Sequence, residues 1–154
     1  MTFQGCGEPY RQPPNRPSKW TGLPMIRVLV VDDHPVLRAG LEAVLRSEPG
    51  FRCVGAAEDG DAMWRLLRRT RPDVVVLDHR LGAEDGIELC RALRSEPVPP
   101  AVLLYTADPG GALQREALAA GASCMVDKAV DVDVLFDAIR VAGRRPGSSE
   151  AAVA

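Results

Sequence analysis

Residues 26–41 read Ile-Arg-Val-Leu-Val-Val-Asp-Asp-His-Pro-Val-Leu-Arg-Ala-Gly-Leu, and the pattern changes character at the middle. The run at 28–31 is aliphatic without polar alternation, as a strand buried on both faces of a parallel sheet requires. Pro35 then opens a helical pattern that puts Leu37, Leu41, Val44 and Leu45 on one face. The stretch is one strand–helix unit, and two carboxylates, Asp32 and Asp33, sit at its turn.

The same unit recurs along the chain. Strand-sized runs are predicted at 27–31, 73–77, 101–105 and 124–126, with a weaker one at 51–56. Helices are predicted at 35–46, 61–70, 86–94, 110–120 and 131–142. Met63, Leu66 and Leu67 face inward from the second helix. Ile87, Cys90 and Leu93 or Leu89 do so from the third, and Val132, Leu135, Phe136 and Ile139 from the last. Pro49, Gly50, Pro72, Pro97, Pro100, Gly121 and Gly143 punctuate the elements. Five such units predict an α/β fold: a doubly wound, five-stranded parallel sheet of order 2-1-3-4-5 with helices on both faces.

Composition removes several function classes. Of 154 residues, 46% are apolar and 26% charged, with a net charge of −2, so a general nucleic-acid coat is not expected. No apolar run approaches the roughly 18–20 residues of a membrane span, and a cytoplasmic, membrane-free protein is expected. Residues 1–24 hold five of the thirteen prolines and few aliphatic side chains, which predicts a disordered tail without a secretory signal. Met25, just before the first strand, is an alternative start. Residues 25–143 are the predicted domain and 144–154 a flexible end. Cys6, Cys53, Cys90 and Cys124 form no Cys-x-x-Cys pair and read as free thiols.

In a doubly wound sheet, ligands bind at the carboxyl ends of the strands, near the reversal of strand order. There this chain places Asp32 and Asp33 after the first strand, Asp78 after the third, Thr106 at the end of the fourth and Lys128 at the end of the fifth. Three carboxylates a few ångströms apart repel one another unless protons or a cation neutralise them. Mg2+, which takes carboxylates, water and phosphate oxygens, suits such a set. Each residue alone has a plainer reading: Asp33 as the N-cap of the helix at Pro35, Asp78 in a turn, Thr106 as an ordinary strand residue, Lys128 as a surface charge. Their coincidence on one rim favours a site.

These residues resemble a family. Val-Leu-Val-Val-Asp-Asp-His-Pro-Val-Leu-Arg-Ala-Gly-Leu (28–41), Pro-Asp-Val-Val-Val-Leu-Asp-His-Arg-Leu (72–81), Asp-Gly (85–86), Tyr-Thr-Ala (105–107), Ala-Gly-Ala (120–122) and Asp-Lys (127–128) look like the flavodoxin-like receiver domain of bacterial two-component response regulators, of the LuxR/NarL type. The resemblance implies that Asp78 accepts a phosphoryl group from a phosphohistidine on a sensor histidine kinase. It implies that Asp32, Asp33, Asp78 and the backbone carbonyl of Arg80 hold Mg2+. Thr106 and Lys128 would then bind the acquired phosphoryl, and the domain would switch to control a partner in transcriptional regulation, an effector or a second copy. Such a protein catalyses only its own phosphorylation and dephosphorylation and is not an enzyme in the usual sense.

Four departures qualify the resemblance. Met125 stands where an aromatic residue commonly rotates inward, and Ala129 follows the lysine where proline is frequent. Gly82 replaces a usual proline four residues after the acceptor, which predicts a looser loop. The chain also ends eleven residues after Gly143, too few for a helix-turn-helix domain, so no DNA-binding domain is expected in it. Arg65, Arg68, Arg69 and Arg71 read as a solvated helix face rather than a substitute. Alternatives are an unphosphorylated receiver-fold scaffold and a truncated LuxR-type transcription factor. A dehalogenase-like phosphatase wants Asp-x-Asp after the first strand, and a flavodoxin-like cofactor binder wants a hydroxyl- and glycine-rich loop; this chain has neither.

The basic residues supply one more signal. Of 19, only Lys19 and Lys128 are lysines, and Lys128 is the only one in the predicted domain. A compact ammonium can meet a single phosphoryl oxygen where a planar guanidinium is bulkier. Lys128→Arg is therefore expected to fold and to signal poorly.

Overall fold

The computed structural model describes residues 25–144. The expectations for 1–24, including the alternative start, and for 145–154 lie outside the described residues. The elements run β1 (Ile26–Val31), α1 (Pro35–Ser47), β2 (Phe51–Ala57), α2 (Gly60–Thr70), β3 (Val74–Asp78), β4 (Arg80–Leu81), β5 (Glu84–Asp85), α3 (Gly86–Arg94), β6 (Ala101–Thr106), α4 (Gly111–Ala119), β7 (Cys124–Asp127) and α5 (Val132–Gly143). Five parallel strands form one sheet in the order β2-β1-β3-β6-β7. With the small β4–β5 pair set apart, this is the predicted 2-1-3-4-5.

Burial explains the lack of alternation in the strands. Val28, Leu29, Val30 and Val31 are all fully buried, because both faces of β1 are covered. Leu29, Val31, Val75, Leu77 and Leu104 pack under Met63, Leu67, Ile87, Cys90 and Leu93 of α2 and α3. Val28, Val30, Val74, Val76 and Leu103 pack under Leu41, Leu45, Leu135, Phe136 and Ile139 of α1 and α5. Val132 departs from the predicted stripe: it is the first residue of α5 and stays 39% exposed. Of the thiols, Cys90 is buried, whereas Cys53 and Cys124 are half-buried; all three are free.

Two local expectations are corrected. Asp33 does not cap α1. His34 holds the N-cap position without a side-chain bond, and Pro35 supplies the pre-set φ of the first turn. Asp33 instead reaches across to the loop after β3. That loop is not loose: β4 and β5 pair antiparallel about a two-residue turn at 82–83, with Gly82 at φ +61. Glycine at the first central position of such a turn takes a positive φ at no steric cost. Proline, with φ near −65° and no N–H, has no access to this geometry.

Register places the functional rim. Val31 pairs with Leu77, so Asp32 and Asp78 emerge side by side at the ends of β1 and β3. Asp78 lies opposite Tyr105 of β6, and Thr106 opposite Asp127 of β7.

Candidate functional site

Asp32, Asp33, His34 and Asp78 bring ligand atoms within 4.8 Å of one another on that rim. Asp32 is 2% exposed and Asp78 5%. Burying carboxylates this deeply is costly unless they are paired, and Lys128 is the partner. Its Nζ donates to Asp32 Oδ2 at 2.8 Å and to Asp78 Oδ2 at 3.0 Å. Burial alone lowers a lysine pKa. Here the hydrogen bonds and charges of the two aspartates outweigh burial and hold Lys128 above its ordinary value, charged. The Lys128 N–H donates to the Thr106 carbonyl at 2.8 Å, which fixes where the stem leaves the sheet.

The remaining lone pairs are mostly met by backbone. Asp78 Oδ1 accepts the Arg80 N–H at 3.2 Å, and Asp33 Oδ2 accepts the Gly82 N–H at 3.0 Å. Asp33 Oδ1 is buried without a hydrogen-bond partner. His34 Nδ1 is 3.1 Å from it, close enough for an ion pair but not aligned as a hydrogen bond. A buried carboxylate oxygen with an unmet lone pair, beside two more carboxylates, is a donor set that fits a hard divalent cation.

The structure therefore unites Asp32, Asp33, Asp78 and Lys128, and joins Arg80 to them through its N–H on Asp78. It does not bond the Thr106 hydroxyl to this group. Thr106 is buried, and its Oγ1 accepts the Asp108 N–H at 3.2 Å in the loop before α4. Met125 is half-buried and packs against the core beneath α2, α3 and α4.

Two residues at the site escaped the sequence reading. His34 places Nδ1 3.0 Å from Asp32 Oδ1 and 3.7 Å from Asp78 Oδ2. Its position directly after two aspartates was the available signal. Arg38 donates from Nη1 to the Asp32 carbonyl at 2.7 Å, clamping the β1–α1 turn from one helical turn away. That contact had no pattern to announce it.

Two acids after β1, one at the end of β3, and a lysine after β7 that binds one acid from each strand form a single constellation. A family model described as the response regulator receiver domain matches residues 28–140. The chain belongs to this family. Among receiver-containing relatives, NarL of Mycobacterium tuberculosis, by name a probable transcriptional regulatory protein, is 39% identical over 98 residues. Those residues are 64% of this chain and 45% of NarL. The transcriptional regulatory protein LiaR of Bacillus subtilis is 33% identical over 130 residues, 84% of this chain and 62% of LiaR. The chain thus spans about half the length of these regulators. A LuxR-family response regulator structure from Aurantimonas superposes with a TM-score of 0.73 at 38% identity, covering 83% of this chain and 93% of that one. The receiver domain of Mycobacterium tuberculosis NarL gives a TM-score of 0.69 at 34% identity, covering 77% and 98%. Other relatives join a matching region to enzyme names, among them a protein-glutamate methylesterase of Syntrophus aciditrophicus, 36% identical over 106 residues, of which the match covers 30%. No described helix is long and apolar enough to cross a membrane.

Proposed function

We propose that this receiver takes a phosphoryl group onto Asp78 from a phosphohistidine of a sensor histidine kinase, with Mg2+ at the acidic cluster. The observation that carries the reading is the setting of Asp78. It is a buried carboxylate at a strand end, gripped by an ammonium on Oδ2 and a backbone N–H on Oδ1.

An Asp78 oxygen attacks phosphorus in line, the O–P bond forms as the P–N bond breaks, and the imidazole departs with the bonding pair. The cation, held by Asp32, Asp33, Asp78 and the Arg80 carbonyl, would neutralise charge on the phosphoryl oxygens. Lys128 needs only to exchange a carboxylate oxygen for a phosphoryl oxygen, and its donors are already aimed at the place. Thr106 must turn its hydroxyl from the Asp108 N–H toward the new group, and the loop before α4 follows it. The added charge, roughly −1.5 to −2, biases two packed states rather than creating a new one.

The domain 25–143 is the switching unit, and its action is limited to its own phosphorylation and dephosphorylation. Output passes to an effector or a second copy in the cytoplasm, in transcriptional control like that named for NarL and LiaR. The test is incubation with Mg2+ and a small acyl phosphate or a phosphorylated kinase. One acid-stable, base-labile phosphate per chain is expected, and Asp78→Asn abolishes it. A wild type that takes no phosphate from any donor reduces the chain to a receiver-fold scaffold. An adduct that survives Asp78→Asn moves the acceptor elsewhere.

A further inference from the structure

We infer that Arg38 is a positioning residue for the cation site: by holding the Asp32 carbonyl it sets how the Asp32 and Asp33 carboxylates are presented, and so how tightly Mg2+ is held. The inference rests on the reading of Asp32, Asp33 and Asp78 as a Mg2+ site for phosphoryl transfer. It adds a residue that touches neither the cation nor the phosphoryl group.

The geometry of the turn carries it. Asp32 is the first residue beyond β1, and its carbonyl accepts Arg38 Nη1 at 2.7 Å. The Arg38 backbone N–H donates to the His34 carbonyl at 2.9 Å. One residue of α1 therefore holds the turn formed by Asp32, Asp33 and His34 at both of its ends. Inside the turn, Asp32 Oδ1 accepts the His34 N–H at 2.8 Å. Asp33 reaches out of it to the Gly82 N–H at 3.0 Å.

Nothing else employs the guanidinium. Among the described residues, the Arg38 side chain bonds the Asp32 carbonyl and forms no ion pair with any carboxylate. It is half-buried, and Leu37, Leu41 and Leu45 carry the packing of α1 on the core. A charged donor makes a stronger bond to a carbonyl than a neutral one does. This bond resists rotation of the peptide plane between Asp32 and Asp33, the plane from which both side chains are aimed.

Without the bond that plane is free to turn, and the two carboxylates lose their register with Asp78. Residues that orient metal ligands without touching the metal are worth roughly 10–100-fold in metal affinity. The deficit falls on cation binding, because Asp78, Thr106 and Lys128 keep their own partners. Excess Mg2+ should therefore recover the rate of phosphoryl transfer.

The experiment titrates Mg2+ into the full chain by calorimetry for the wild type, Arg38→Met and Arg38→Gln. It also follows phosphorylation by a small acyl phosphate across the same Mg2+ range. Both variants are expected to bind Mg2+ about tenfold more weakly and to need about tenfold more Mg2+ for half-maximal phosphorylation, with a maximal rate within about threefold of the wild type. The loss should persist from about 0.05 to 0.5 M salt, since a change of net charge alone would be screened. Arg46→Met, which removes a charge from the last turn of α1, should bind Mg2+ as the wild type does. Circular dichroism confirms that the variants fold. Wild-type Mg2+ affinity in both variants, a deficit that vanishes at high salt, or a lower maximal rate at unchanged Mg2+ demand overturns the inference, while wild-type Mg2+ binding and an Asp78 phosphate leave the receiver reading intact. Failure of the wild type to bind Mg2+ overturns both.

Discussion

The Lys128 ammonium lies 3.0 Å from Asp78 Oδ2, 50 positions away in the chain, and 2.8 Å from Asp32 Oδ2, 96 positions away. One side chain thus closes the rim across β1, β3 and the end of β7. At 12% exposed it is largely desolvated. Lys128→Met keeps the stem and removes the charge, leaving three clustered carboxylates without their cation. Stability without metal should fall by about 3 kcal/mol, and a saturating divalent cation should restore most of it. Urea unfolding with and without the cation checks both halves; an unchanged midpoint in the absence of metal would show that the pair contributes nothing net.

Gly86 marks the closest backbone approach at the site. A Cβ there would collide with the Asp78 carbonyl oxygen and crowd the His79 backbone. The Gly86 N–H also donates to the His79 carbonyl at 2.7 Å. Gly86→Ala must push α3 away from the acceptor strand. A loss of about 2 kcal/mol or more is expected, with slower phosphorylation of the variant that remains folded. Thermal melts and a phosphorylation time course measure the two effects.

Gly82 combines a left-handed φ with an N–H given to Asp33. Gly82→Pro removes both at once, so more than about 1 kcal/mol of stability should go. Cation affinity should drop as well, since Asp33 loses its tether to the β4–β5 turn. Gly82→Ala keeps the N–H and should lose stability with less effect on cation binding. Calorimetric titration of the two variants separates backbone strain from the lost hydrogen bond.

Burial pushes the Cys90 thiol up to about 11 from an ordinary 9.0, despite the opposing charges of Arg91 and Arg94. An acid whose pKa is higher folded than unfolded keeps its proton longer in the native state. Its contribution is intact below pH 9 and is lost as pH climbs toward 11. Denaturation midpoints across that range should fall more steeply for the wild type than for Cys90→Ala, by about 2 kcal/mol at the upper end. Below pH 9 native Cys90 should resist thiol reagents until the chain unfolds.

Most of the fold was legible because parallel strands announce themselves. Val74 to Leu77 carry no polar residue and are buried without exception. Asp32, Asp78 and Lys128 were legible for the same reason, as polar residues that end apolar runs. Val132 misled because periodicity says which side of a helix faces in but not where the covering sheet stops. The β4–β5 pair escaped because two-residue strands have no period to read. Asp33 was open to two roles because N-capping and ligation ask for the same side chain. Arg38 acts through geometry that forms only once α1 has folded back from the turn, whereas His34, directly after the two aspartates, contacts Asp32 within the turn itself.

The hairpin that carries Gly82 also carries Glu84, and Glu84 Oε1 accepts the N–H of Gly60 at 3.0 Å, at the first residue of α2. A side chain at position 60 would run into the same carboxylate. The opening turn of α2 is therefore terminated by a loop that hangs from the acceptor strand. Amide exchange at Gly60, on a helix with no residue in the acidic cluster, becomes a remote gauge of that loop: whatever unseats the hairpin frays α2 from its amino end.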